Sequence, residues 1–194
     1  MRHADSSHVS TLAARHAAGE RLKYLFFWGH TPARRGTIDK ACLSQWWPAP
    51  FVVDGKRFAT AEHFMMYEKA RLFGDDASAE AILRDDRPPV AKELGRSVRG
   101  FVDDVWQAAR FDIVVRGSVA KFGQHDALKE YLLATGHLVL VEASPTDRVW
   151  GIGLAATDEH AEQPARWRGL NLLGFALMEA RRQLATADVH ADVD

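Results

Sequence analysis

Residues 61–73 read Ala-Glu-His-Phe-Met-Met-Tyr-Glu-Lys-Ala-Arg-Leu-Phe, a helical pattern with two charges on its apolar stripe. At 100° per residue, Glu62, Met65, Met66, Lys69, Leu72 and Phe73 share one face, while Phe64, Tyr67, Glu68 and Arg71 share the other. A core-facing helix normally fills the positions of Glu62 and Lys69 with aliphatic residues. Burying either charge is costly unless it has a partner or a shifted pKa. Seven residues separate the two by about 10 Å along the axis. That is long for an ion pair, yet both side chains can reach one small molecule lying between them. Two readings fit: a polar cavity built on this helix, or an amphipathic helix with two snorkelling side chains.

The rest of the chain supplies an ordinary core around such a helix. Its 194 residues, 47% hydrophobic and 26% charged, suit one domain. A net charge of −1 gives no global field toward nucleic acid or membrane, so a nucleic-acid role would need a local basic patch or a dedicated pocket. The single cysteine, Cys42, excludes an intrachain disulfide and fits a reducing, cytoplasmic setting. No apolar run approaches the length of a membrane span. The first 19 residues lack the apolar segment of a signal peptide.

Residues 1–22 read as a weakly ordered arm, with a short helix possible over Ser10 to Ala18. The domain is expected over 23–185, and 186–194 as a tail. Lys23 to Trp28 is strand-like and His30 to Lys40 a basic loop. Asp54-Gly55 between two short apolar runs signals a hairpin over 51–58. Thr60 is placed to cap the helix of 61–73, with His63 at the position a capping box gives to Glu or Gln. Further helices are expected over 77–84, from Pro88-Pro89 to Gly95-Arg96, over 103–123, over 127–135 and over 170–185. Residues 138–141 form a wholly apolar strand, and 159–164 a polar surface excursion. The expected class is mainly α, a single helical domain with a small β element.

Six stretches then stand in a telling order. They are Phe26-Phe27-Trp28-Gly29-His30, Leu43-Ser44-Gln45-Trp46-Trp47, Thr60-Ala61-Glu62-His63 with Lys69, Leu94-Gly95-Arg96, Asp147-Arg148-Val149-Trp150-Gly151-Ile152-Gly153, and Gly169-Leu170-Asn171-Leu172-Leu173-Gly174 followed by Met178-Glu179-Ala180-Arg181. Together they resemble the NADAR family over about Tyr24 to Leu184. Each motif alone is weak, and their order carries the resemblance. It implies N-glycosidase chemistry on ribosylated amines. One branch of the family hydrolyses phosphoribosylamino-pyrimidine intermediates of riboflavin biosynthesis. Another removes ADP-ribose from the exocyclic amine of guanine in nucleic acid. Met66 and Glu68 stand where glutamines are usual, which bears on the substrate more than on the reaction.

The resemblance implies catalytic roles for Glu62, Lys69 and Asp147, and substrate contacts from Trp28, Ser44, Trp46, Arg96, Trp106, Trp150 and Asn171. A ribosyl group on an exocyclic amine can open to an imine. A neutral Lys69 amine can then displace the base by imine exchange, and water completes hydrolysis. Glu62 would shuttle protons to the leaving amine and from water. The structural alternatives stay open. Lys69 can instead hold phosphate as a point charge, and Asp147 is a good turn residue. Trp28, Trp46 and Trp106 can stack on a heterocycle or fill core. Arg96 can grip phosphate or neutralise a helix end, and Asn171 can bind ligand or cap a helix.

Other chemistries fit poorly. Glu62-His63 lacks the second histidine of a zinc-binding helix, and the nine histidines are scattered, so no metal is expected. Gly151-Ile152-Gly153 lacks the third glycine of a dinucleotide fingerprint, and Ser44 has no nucleophile elbow. The expected protein is a cofactor-free enzyme acting on a ribosylated or phosphoribosylated small molecule. Nucleic acid is the partner if the guanine branch applies, and a basic lip of Arg34, Arg35 and Lys40 would suit it. A non-catalytic module that reads ADP-ribose is the rival of another class.

Overall fold

The structure, a computed structural model, describes residues 4–191, with side chains described from 7 to 187. The helices among them are α1 (Ala4–Ala17), α2 (Ala61–Leu72), α3 (Asp76–Arg84), α4 (Pro88–Arg96), α5 (Asp103–Gly123), α6 (Asp126–Ala134) and α7 (Leu172–Ala191). The strands are β1 (Tyr24–Phe27), β2 (Phe51–Val53), β3 (Lys56–Phe58) and β4 (Val139–Glu142). This is the mainly α architecture with a small β element that the sequence predicts. No helix among the described residues is long and apolar enough to cross a membrane.

β2 and β3 form the expected hairpin, with Asp54 at φ 50° and Gly55 at φ 72°. Both turn residues are left-handed, as the type I′ hairpin turn requires. β1 and β4 pair in parallel, Tyr24 opposite Val139 and Phe27 opposite Glu142. Alternation along β4 explains why its first three residues, Val139, Leu140 and Val141, are all apolar. Val139 and Val141 pack in one cluster with Leu12, Ile152 and Phe175, whereas Leu140 packs in the main core with Phe27, Leu43 and Met65. Both faces are covered along this stretch, and only the last residue of the strand, Glu142, is polar.

Two helices differ in length from expectation. α1 begins at Ala4 instead of Ser10, and Leu12 anchors it in the second cluster. α7 runs to Ala191, into the segment read as tail, because nothing in Thr186-Ala187-Asp188-Val189-His190-Ala191 stops a helix. The excursion at 159–164 is not wholly superficial. Ala161 is buried, and its carbonyl accepts the Trp167 indole N–H at 2.8 Å.

α2 is the centre of the domain and corrects the two-faced reading of its sequence. Ala61 to Tyr67 are all buried, whereas Leu72, assigned to the apolar stripe, is exposed. The side expected to face water is covered by the hairpin. Phe64 lies 5.1 Å from the Phe58 ring centroid and 5.9 Å from Phe51, and Tyr67 lies 5.3 Å from Phe58. Gly117 on α5 admits Phe64, since a Cβ there would come within 2.6 Å of its ring. With both faces enclosed, the polar groups on α2 must be satisfied inside the protein or by a ligand.

α7 meets β4 at a contact only glycine allows. A Cβ on Gly174 would overlap the Leu140 carbonyl oxygen and the Asn171 amide. Neither is the mobile end of a side chain. Gly174→Ala is therefore expected to exceed the about 1–3 kcal/mol of ordinary overpacking. Urea unfolding monitored by circular dichroism checks this. A midpoint equal to wild type would mean that α7 shifts away from β4 without cost.

Candidate active site

Glu62 is placed by the start of α2. Thr60 occupies the N-cap position but its hydroxyl does not cap. It meets His63 Nδ1 at 2.8 Å, while His63 Nε2 meets the Asp85 carbonyl at 2.8 Å. A carbonyl only accepts, so Nε2 carries the proton and Nδ1 accepts from Thr60. Burial holds this imidazole below its usual pKa, consistent with the neutral tautomer. The helix is capped instead by the Gln45 carbonyl, which accepts the Glu62 N–H at 3.0 Å. That bond fixes the Ser44–Trp46 loop beside Glu62.

A cavity of about 910 Å³ opens along this side of α2. Glu62, Met65, Met66 and Lys69 line it from α2 itself. The Glu62 side chain is 5% exposed, and burial pushes its carboxyl up to about 7. Lys92 opposes that shift most, followed by a hydrogen bond from Trp46, while Asp147 adds to it. A carboxyl poised near neutrality can give and take a proton at little cost.

Lys69, two turns on, is half-buried. Its Nζ donates to the Gly95 carbonyl at 2.7 Å and lies 4.4 Å from the Phe101 ring centroid and 5.5 Å from Trp106. Burial lowers its pKa, and Asp103 works against that. Gly95 leaves room for Met66, whose sulfur would collide with any Cβ there.

Asp147 also lines the cavity. Its Oδ1 accepts the backbone N–H groups of Val149 and Trp150, each at 2.8 Å. The turn role and the cavity position thus coexist in one residue. Trp28 stands at the mouth, 64% exposed, and Trp46, Trp106 and Trp150 form walls. Ser44 lines the cavity too, and its Oγ accepts the Trp46 N–H at 3.2 Å. Arg96 reaches the cavity from the last turn of α4.

Asn171 is the candidate the cavity does not include. It is fully buried at φ 51°, its Oδ1 accepts the Glu142 N–H at 3.0 Å, and its Nδ2 donates to the Leu140 carbonyl at 3.0 Å. Both ends of the amide are taken by β4, so it clamps the strand to α7. Arg34, Arg35 and Lys40 do not line the cavity either; that loop contributes Trp28, Gly29 and His30.

Among the cavity residues that sequence reasoning did not single out are Lys92, Arg110, Gln45 and Glu142. Lys92 sits one turn before Arg96 on the same face of α4, a spacing visible in the sequence. Arg110 follows Trp106 by one turn on α5, a spacing equally visible in the sequence. Gln45 lay inside a quoted motif. Glu142 carried no signal until the faces of β4 were known.

The site thus joins a near-neutral carboxyl, a partly desolvated amine, aromatic walls and the cations Lys92, Arg96, Arg110 and Arg148. Such an arrangement can stack a flat group, hold an anion and move a proton. The NADAR domain profile matches residues 26–185. N-glycosidase R617 of Acanthamoeba polyphaga mimivirus is 40% identical over 169 residues, 84% of this chain and 98% of the relative. N-glycosidase YbiA of Escherichia coli K12 is 35% identical over 136 residues, 70% of this chain and 76% of the relative. The NMR structure of E. coli YbiA matches with a TM-score of 0.67 at 29% identity, covering 88% of this chain and 90% of that one. The chain belongs to the NADAR family.

Proposed function

We propose that the protein is an N-glycosidase, a hydrolase of N-glycosyl compounds, that splits the bond between a ribose and an exocyclic amine of a heterocycle. The observation that carries this reading is that Glu62 and Lys69 face one cavity from one helix, the first pushed up to about 7 and the second lowered. The names of the viral and bacterial relatives support it. The leading substrate is a phosphoribosylamino-pyrimidine of riboflavin biosynthesis.

In this reading the heterocycle stacks against Trp106, and Arg96 with Lys92 holds the phosphate. Glu62 protonates the departing amine and later takes a proton from water. Lys69 carries the sugar as an imine between those steps, and Asp147 polarises a ribose hydroxyl. The test is to incubate the protein with the phosphoribosylamino-pyrimidine and with an ADP-ribosylated guanine oligonucleotide, following base release by chromatography. Release from the pyrimidine substrate is expected. Release from the oligonucleotide alone would move the assignment to the guanine branch, and tight binding of ADP-ribose without release from either would leave a binding module. One observation favours the guanine branch as second reading. A cavity of about 910 Å³ with cations from α4, α5 and the Arg148 loop has room for more than one phosphate.

Binding and chemistry separate at Arg96 and Trp106, which do not touch the bond that breaks. Arg96→Ala is expected to weaken a phosphorylated substrate by about 1.5–3 kcal/mol, and its dephosphorylated counterpart far less. Trp106→Ala should weaken both, by an amount that depends on the heterocycle. Paired titrations with thermal melts check this. Equal losses for both substrates in Arg96→Ala would make it a helix-end charge.

A further inference from the structure

β4 ends on Glu142, and strand alternation decides where that side chain goes. Leu140 belongs to the main core around α2, so Glu142, two residues on, points to the same side and lines the cavity. Its backbone is pinned from three directions. The N–H donates to Asn171 Oδ1 at 3.0 Å, the carbonyl accepts the Ile152 N–H at 2.9 Å, and β1 pairs Phe27 against it. Gly151 lets the following loop close on this residue, since a Cβ there would lie 2.8 Å from the Glu142 carbonyl oxygen.

The carboxyl at the end of this rigid mount is not satisfied by the protein. Its Oε2 is sealed from solvent and has no hydrogen-bond partner. An ionised oxygen in that condition is expensive, and a protonated one still lacks an acceptor for its hydrogen. The titratable groups that face it are Asp147 from its own loop, Glu62 from α2 and Lys92 from α4, while β1 and α7 meet it with Phe27 and Asn171. Burial first, then Asp147 and Glu62, push the carboxyl up to about 8, against the pull of Lys92. Three acids share this end of the cavity, and only Glu62 and Asp147 have a role in the reaction proposed above.

We infer that Glu142 enters the reaction as a neutral carboxylic acid whose O–H donates a hydrogen bond to an oxygen of the bound sugar, transferring no proton itself. It orients the ribose between Glu62 and Lys69 and supplies a donor to the oxygen on which charge builds as the glycosidic carbon reacts. Burial, aided by the neighbouring carboxyls, keeps it protonated, so a group that would repel an anionic substrate becomes a donor to it. This role rests on the N-glycosidase reading.

Two measurements test it. In protein labelled with carboxyl-13C glutamate, two glutamate resonances should titrate above pH 6, one lost in Glu62→Gln and one in Glu142→Gln. Fewer than two such resonances in the wild type would overturn the proposal without any substrate. In base-release assays, Glu142→Gln keeps a donor and should stay within about tenfold of wild-type kcat/KM at pH 6.5, whereas Glu142→Ala should lose about 10²–10³. Above pH 8 the slope of log kcat/KM against pH should become shallower by about one in Glu142→Gln, because one ionisation has been removed. A folded Glu142→Gln protein as slow as Glu142→Ala, or one with an unchanged slope, would overturn the role. Absence of base release by the wild type sinks the N-glycosidase reading itself, a separate result.

Discussion

Glu62→Gln is expected to fold, to become more stable than the wild type at pH 8, and to lose about 10²–10⁴ of turnover. The amide keeps the size of the side chain, and its oxygen still accepts from the Trp46 indole. What it loses is the proton. Burial raises the Glu62 carboxyl from 4.5 to about 7, so the folded chain holds a proton between those values that the unfolded chain releases. Stability therefore falls as pH rises through this window, by roughly 3 kcal/mol once the full cost stands. Below pH 4.5 the group is neutral in both states and costs nothing. Gln does not titrate, so the variant should match the wild type near pH 4 and melt higher at pH 8. The gain should somewhat exceed that of an isolated site, because removing one carboxylate also lets Glu142 ionise more easily and relieves part of its own burial cost. Melts at the two pH values and single-turnover base release decide the matter. A variant that gains stability yet retains near-full turnover would show that Glu62 is buried for another reason.

The same physics separates what the sequence revealed from what it hid. Helices α3 to α6 were legible because their ends are written locally, by Pro88-Pro89, by Gly74 and Gly123, and by Gly136. Asp54-Gly55 announced the hairpin for the same reason. The parallel β1–β4 pair was not legible, because its partners lie more than a hundred residues apart and no turn connects them. That pairing is what aims Glu142 into the cavity and gives Asn171 a strand to clamp. α2 misled because its pattern was read as a boundary between core and water, whereas the hairpin encloses its second face. Lys121 shows the limit most plainly. It lies inside a helix read by its apolar periodicity, yet it is fully buried and donates to the Cys42 and Ser44 carbonyls at 2.6 and 2.8 Å. Burial pushes its amine down to about 7. It holds the loop that carries Trp46 and caps α2, a task that exists only once the chain has closed on itself.

Lys69→Arg is expected to abolish turnover, by roughly 10⁴-fold or more, while leaving the fold and substrate binding close to normal. Arginine keeps a positive donor near the Gly95 carbonyl and a cation over Phe101, so the link between α2 and α4 survives. It cannot act as a neutral amine, because a guanidinium stays protonated. The two roles open to Lys69 thus diverge in one variant. As a point charge for phosphate, Arg substitutes well, and the loss should be modest. As the nucleophile, the lysine nitrogen bonds to the anomeric carbon of the opened sugar, and the heterocycle leaves with a proton from Glu62. Water then hydrolyses the lysine imine, returning the amine and releasing the sugar. The cavity favours the second role on one physical ground: burial lowers the Lys69 pKa, so a larger fraction of the amine is unprotonated than on an exposed lysine. Borohydride added during turnover should reduce the imine and leave a sugar on Lys69, detectable by peptide mass, with none on Lys92. An absent adduct combined with an active Lys69→Arg enzyme would leave direct attack by water as the mechanism, with Lys69 as the phosphate's counter-charge.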